Sequence, residues 1–100
     1  MGDFSKTSRN INLDGTVLNA ESQRKDGSFV NASIDLNAIV TNDDGLLKFG
    51  GNEFAFSCSN IALNSNILSA TCRRKNGSED NTSIDLNNHL TNRDGVLVVE

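Results

Sequence analysis

Few side chains in this 100-residue chain are equipped for chemistry: there is one histidine, there are two cysteines, and 13 acidic residues stand against nine basic ones. Cys58, Cys72 and His89 are too few to build a zinc site of the usual ligand count, which excludes metal binding through sulfur. Nucleophilic catalysis needs a nucleophile, a base and a group that orients the base, and a solitary His89 does not supply that set. Asp35, Asp44, Asp85 and Asp94 could be imagined as the paired carboxylates of a glycoside hydrolase. Asn42-Asp43-Asp44-Gly45 and Asn92-Arg93-Asp94-Gly95 are rich in oxygen and suggest calcium, but neither has the alternating acids and closing Glu of an EF-hand loop. No glycine-rich phosphate loop follows a strand.

The elements that would position these groups are duplicated. Residues 1–50 align with 51–100 without a gap, and 21 of 50 positions are identical. The longest match pairs Ser33-Ile34-Asp35-Leu36-Asn37 with Ser83-Ile84-Asp85-Leu86-Asn87, and Thr41-Asn42-x-Asp44-Gly45 pairs with Thr91-Asn92-x-Asp94-Gly95. Duplication gives the aspartates a shared role in folding. Asp44-Gly45 and Asp94-Gly95 suit turns, and Asp35 and Asp85 follow Ser33 and Ser83 where an acid favours a helix start. His89 replaces Ile39 in one copy only, so it reads as a semi-buried structural residue. No catalytic residue, metal ligand or cofactor follows from the sequence, and the chain reads as a non-enzyme. A 50-residue half buries too little surface to be stable alone, and two copies are too few for a solenoid, so an interlocked pair sharing one core is expected.

Within a unit, Ile11-Asn12-Leu13 alternates apolar with polar, Asp14-Gly15 signals a hairpin turn, and Thr16-Val17-Leu18-Asn19-Ala20 resumes an extended pattern. A turn at Lys25-Asp26-Gly27-Ser28 leads to a third strand from Phe29 to Ala32. Ser33 is a candidate N-cap for one or two helical turns carrying Ile34, Leu36, Ile39 and Val40. Leu46-Leu47-Lys48-Phe49 and Val96-Leu97-Val98-Val99 read as a fourth strand. The fold class is all-β with small helical turns. Cys58 and Cys72 take the positions of Ser8 and Ser22 on the two arms of the hairpin. They are either buried free thiols or a disulfide closing a loop of about 15 residues, worth roughly 3 kcal/mol in an oxidising compartment.

The net charge of −4 is spread without a basic stripe and aromatics are few, which argues against nucleic acid as a partner. The opening Met1-Gly2-Asp3-Phe4-Ser5-Lys6 lacks the apolar stretch of a signal peptide, and no apolar run would cross a bilayer. The expectation is a cytoplasmic or already processed protein without membrane insertion. Asn31, Asn76 and Asn81 head Asn-x-Ser sequons.

The tandem Ser-Ile-Asp-Leu-Asn segments, the Asn42-x-Asp44-Gly45-x-Leu47-Lys48 segment and the opening Phe4-Ser5 resemble the cyanovirin-N family of lectins over the whole chain. The resemblance implies two pseudo-symmetric lobes made by strand exchange, each a triple-stranded sheet with a β-hairpin and short 3-10 turns, within a single domain of residues 1–100. One lobe would join residues 1–39 to 90–100, and the other would hold 40–89. It further implies metal-free binding of high-mannose oligosaccharides or glycoproteins through terminal α1,2-linked mannose. Two pockets would lie at opposite ends of the molecule. The first is expected from Asp3, Lys6, Thr7, Gln23, Lys25, Asp26, Asn92, Arg93 and Asp94. The second is expected from Thr41, Asn42, Asp43, Asp44, Asn52, Glu53, Phe56, Ser57, Arg73, Arg74, Lys75 and Asn76.

The chain departs from the family pattern in lacking cysteines in its first repeat and in placing Phe56, Asp3 and Lys6 where Glu, Lys and Gln are expected. The alternative function is therefore a structural or protein-interaction module that has lost sugar binding. A monomer is expected. A swapped dimer could open at Phe49-Gly50-Gly51-Asn52, the segment joining the exchanged halves.

Overall fold

The computed structural model describes residues 3–99; Met1, Gly2 and Glu100, which the expected lobe boundaries take in, lie outside the described residues. In the first repeat a 3-10 helix, η1 (Phe4–Thr7), leads into strands β1 (Ser8–Asp14), β2 (Val17–Gln23) and β3 (Phe29–Asp35). A 3-10 turn, η2 (Leu36–Ala38), then precedes a hairpin of β4 (Val40–Asp43) and β5 (Leu46–Phe49). The second repeat follows the same order with η3 (Phe54–Phe56), β6 (Cys58–Asn64), β7 (Ile67–Arg73), β8 (Glu79–Asp85), η4 (Leu86–Asn88), β9 (Leu90–Arg93) and β10 (Val96–Val99). All pairings are antiparallel, giving sheets β1-β2-β3 and β6-β7-β8 and two separate hairpins.

The hairpins are exchanged between repeats. β10 packs on β3 and β9 on η1, whereas β5 packs on β8 and β4 on η3. The central strands drive this arrangement, because period-two alternation sends Leu18, Ala20 and Ser22 of β2, and Leu68, Ala70 and Cys72 of β7, to the buried face. Phe4, Leu36, Val40 and Leu47 join their counterparts Phe54, Leu86, Leu90 and Leu97 in one apolar cluster that neither repeat could close alone.

Asparagine side chains fasten the repeats to each other. The Asn87 carbonyl accepts from the Asp3 amide at 2.7 Å, its Oδ1 accepts from the Ser5 amide at 3.0 Å, and its Nδ2 donates to Ser5 Oγ at 2.7 Å. Asn37 mirrors this for the other repeat, accepting from the Glu53 amide at 2.6 Å and from the Ala55 amide at 3.1 Å. The last three residues of the longest sequence match are thereby explained. Asp35 caps η2, Leu36 is fully buried, and Asn37 crosses to the other repeat.

The helix start expected at Ser33 lies two residues further on. The β2–β3 ladder continues to Val17↔Asp35, which holds Ser33 and Ile34 in β3. Asp35 Oδ1 accepts from the Asn37 amide at 2.9 Å and from Thr16 Oγ1 at 2.8 Å, so Asp35 is the cap. Val40 begins β4, and the near-helical spacing was the sum of a strand end, one turn and a strand start. The first hairpin loop is Gly15-Thr16, with Asp14 still paired to Val17. In the short hairpins Asn42 and Asp43 belong to β4, and the turn is Asp44-Gly45 at φ 50° and 92°, both positive as a type I′ turn requires. A Cβ on Gly45 would also lie 2.8 Å from Arg74 Cγ, so only glycine fits there.

Cys58 and Cys72 are directly opposed in the β6–β7 register and form a disulfide. At the same place in the first repeat, Ser8 Oγ and Ser22 Oγ are hydrogen-bonded at 2.9 Å. Between the repeats, Gly50 adopts φ 102° and a Cβ on Gly51 would collide with the Thr41 side chain.

Two outcomes are expected. Replacing Asn37 or Asn87 by Ala should cost about 1–3 kcal/mol in urea unfolding because backbone donors lose their partner, whereas Asn88→Ala on the exposed side of η4 should change little. The double variant Ser8→Cys/Ser22→Cys should form a second disulfide and raise stability by up to about 3 kcal/mol, read as a Tm increase abolished by reductant.

Candidate functional site

On the first lobe, three segments distant in sequence converge: the end of η1, the end of β2 with the loop after it, and the β9–β10 hairpin. Asn92 ties them together. Its Nδ2 donates to Thr7 Oγ1 and to the Gln23 carbonyl, each at 2.9 Å, while its Oδ1 accepts from the Gly95 amide at 2.8 Å and closes the turn. Asp94 Oδ1 accepts from the Lys25 amide at 2.9 Å and lies 3.9 Å from Arg24 Nε. These bonds frame a concavity of about 370 Å³ lined by Thr7, Gln23, Arg24, Lys25, Thr91, Asn92, Arg93 and Asp94.

Six of the nine residues expected for the first pocket line this concavity. Asp3 and Lys6 do not line it, and they pair with each other at 3.8 Å on exposed surface. Asp26 turns into its own loop, where its Oδ1 accepts from Ser28 Oγ at 2.7 Å and from the Ser28 amide at 2.9 Å. These bonds, the hydroxyl's first, hold its pKa below the ordinary carboxylate value.

The second lobe repeats the frame. Asn42 Nδ2 donates to Ser57 Oγ at 2.8 Å and to the Arg73 carbonyl at 2.9 Å, Asn42 Oδ1 accepts from the Gly45 amide at 2.8 Å, and Asp44 Oδ1 accepts from the Lys75 amide at 2.9 Å. The lining differs. A concavity of about 390 Å³ is bounded by Asp43, Asp44, Leu46, Arg74 and Asp80. Arg74 spans it, with Nη1 at 3.0 Å from Asp80 Oδ2 and Nη2 at 4.0 Å from Asp44 Oδ2. Asp43 bonds Lys48 Nζ at 2.9 Å, and that bond, reinforced by the ammonium charge, lowers its pKa.

Asn42, Asp44, Ser57, Arg73, Arg74 and Lys75 are thus joined by direct bonds, and Asp43 shares the concavity with Asp44 and Arg74. Phe56 stands 94% exposed at the place Lys6 holds in the first repeat. Asn76 accepts from the Ser78 amide and hydroxyl in its own loop, and Thr41 sits against Gly51. Asn52 and Glu53 lead into η3 and do not line the concavity, the Glu53 amide being committed to Asn37.

The two linings have opposite charge. The first sets Arg24, Lys25 and Arg93 against Asp94, and the second sets Asp43, Asp44 and Asp80 against Arg74. Sequence reasoning omitted Arg24 and Thr91 from the first lobe and Leu46 and Asp80 from the second. The repeat itself carried the signal for the first two, since their counterparts Arg74 and Thr41 were assigned to the other pocket.

The CVNH domain profile matches residues 4–98, nearly the whole chain. The chain belongs to the CVNH family. Similar solved structures include GzCVNH from Gibberella zeae, with a TM-score of 0.93 at 32% identity, covering 99% of this chain and 98% of that one. Microvirin, solved in complex with mannobiose, has a TM-score of 0.86 at 30% identity over the whole of both chains. A MoCVNH3 variant, solved in complex with (N-GlcNAc)4, has a TM-score of 0.94 at 25% identity, covering 99% and 97%. No helix among the described residues of this CVNH domain is long and apolar enough to cross a membrane.

The Ser28 bonds account for the lowered Asp26 pKa, and Ser28→Ala should move that pKa upward in a carboxyl NMR titration. A carboxylate whose folded pKa is depressed contributes stability above its unfolded pKa and loses it as pH falls through the folded value. The acid limb of the stability profile should therefore flatten in the variant, while the Asp43 titration stays put.

Proposed function

We propose that this CVNH domain is a lectin that binds high-mannose glycans through terminal α1,2-linked mannose, using one metal-independent pocket on each lobe. The observation that carries the reading is the first-lobe concavity, where hydroxyl, amide, carboxylate and cationic groups from both repeats converge on one opening. Sugar hydroxyls donate and accept at once, so such a mixed lining can satisfy them. Microvirin, similar over its full length, was solved with mannobiose, which supports the same ligand class here.

The pockets are unequal in this reading. The first opening is framed by Thr7, Lys25, Asn92 and Asp94 and takes the sugar more tightly. In the second, Arg74 is occupied by Asp80 and Asp44, and Phe56 replaces a polar contact with an exposed ring. Asp3, Lys6, Asp26, Asn52, Glu53 and Asn76 form an outer rim that a longer glycan reaches. On a body 50 Å long, two weak pockets engaging one multi-antennary glycan would gain about 10²–10⁴ in avidity where the geometry permits. The lobes, residues 1–39 with 90–100 and residues 40–89, work as one rigid unit because each borrows its hairpin from the other repeat.

Titration of labelled protein with mannobiose, followed by NMR, tests this. Saturable shifts are expected around Lys25 and Asp94 at millimolar sugar, with weaker shifts around Asn42 and Lys75. Absence of shifts at both lobes would favour the alternative, a protein-interaction module on the same fold.

A further inference from the structure

A concavity of about 460 Å³ lies at neither hairpin but on the open face of the first lobe's three-stranded sheet. Strand register places Asn12, Asn19 and Ser33 in one row across β1, β2 and β3, and Glu21 and Asn31 in the next. A bulge in β1, where Asn10 adopts φ 52°, brings Arg9 and Asn10 together over Glu21. Arg9 Nε and Asn10 Nδ2 both donate to Glu21 Oε1, at 2.9 and 2.8 Å, and hold its pKa below the ordinary value. Its negative charge is thereby balanced by the Arg9 guanidinium. Asn12 donates to the Asn10 carbonyl at 3.0 Å, whereas Asn19, Asn31 and Ser33 make no side-chain hydrogen bond among the described residues.

From this geometry we propose a third ligand site, on the β1–β2–β3 face, that binds a neutral oligosaccharide through the amides of Asn19 and Asn31 and the hydroxyl of Ser33. Residues two apart on a strand are about 7 Å apart and neighbouring strands about 5 Å apart, so the two rows present a patch fitted to a disaccharide or longer chain. Amides donate and accept, which matches hydroxyl and acetamido groups. The compensated charge disfavours an ionic ligand. The one aromatic ring on this face, Phe29, is covered by the Arg9 guanidinium 3.8 Å from its centroid, which leaves no free anchor for a peptide, and the missing cation excess disfavours nucleic acid.

The second lobe serves as an internal comparison. Asn12, Asn19 and Glu21 become Ala62, Ser69 and Thr71 there, and Thr71 Oγ1 donates to Asn81 Oδ1 at 2.9 Å, so that face is shorter of amides and partly self-satisfied. The proposed site belongs to the first repeat alone and is independent of the two pockets proposed above.

The test is an NMR titration of the labelled chain with mannobiose in one arm and an N-acetylglucosamine trisaccharide in the other, read at the side-chain amides of Asn19 and Asn31. Saturable shifts at these amides are expected with at least one sugar. Asn19→Ala/Asn31→Ala should weaken that binding by about tenfold, as loss of two hydrogen bonds implies, while any response around Lys25 and Asp94 persists. Because both positions are on the solvent face, an unchanged Tm would show that the variant is folded. Shifts confined to the hairpin pockets, or none at the sheet face with either sugar, would overturn the proposal. Shifts at the sheet face without any at the hairpins would uphold it and sink the two-pocket reading instead.

Discussion

Everything in this fold depends on side-chain amides that reach from one repeat to the other. An isolated 50-residue unit has a sheet whose inner face needs a cover, and the cover comes from its twin's hairpin. Hydrophobic burial is non-directional and would permit many ways of laying a hairpin on a sheet. Asn42 and Asn92 select one, because each must close its own turn with its oxygen while its nitrogen meets a hydroxyl and a carbonyl of the other repeat. Asn37 and Asn87 do the same for the 3-10 helices that carry Phe54 and Phe4 into the core.

The amide frame also explains how duplicated halves can diverge without losing the fold. Identity between repeats concentrates where a bond or the core requires it, at Asp35/Asp85, Leu36/Leu86, Asn37/Asn87, Asn42/Asn92 and Asp44/Asp94. Differences collect on what the frame surrounds. Asp43/Arg93, Val30/Asp80 and Lys6/Phe56 change charge or polarity in or beside the openings. One scaffold thus presents two surfaces of opposite local charge.

Much of the fold was legible because its signals are local. Asp-Gly and Asn-Gly steps mark turns, alternation marks strands, and an ungapped repeat marks the dyad. What was misplaced needed knowledge of pairing. Ser33 looks like a cap until β3 is seen to stay paired to Asp35, and Ile34 to Val40 mimic a helical stripe only because a strand, a turn and a strand abut. The residues that gather at the first-lobe opening were mostly named in advance through family resemblance. Their second role, as the bonds that build the frame, was not legible, since no spacing shows that Asn92 will meet Thr7 and Gln23. The amide rows on the β1–β2–β3 face were invisible for the same reason, as Asn12, Asn19 and Ser33 become neighbours only once the register is known.

The disulfide between Cys58 and Cys72, set against the Ser8–Ser22 hydrogen bond, makes the molecule mechanically lopsided. A covalent tie persists through local opening, while a hydroxyl pair separates with its strands. Under fluctuation or protease attack the β1–β2 hairpin is therefore the end that frays first. Because the repeats exchange hairpins, fraying there loosens β9–β10, while the disulfide keeps the β6–β7 pairing shut.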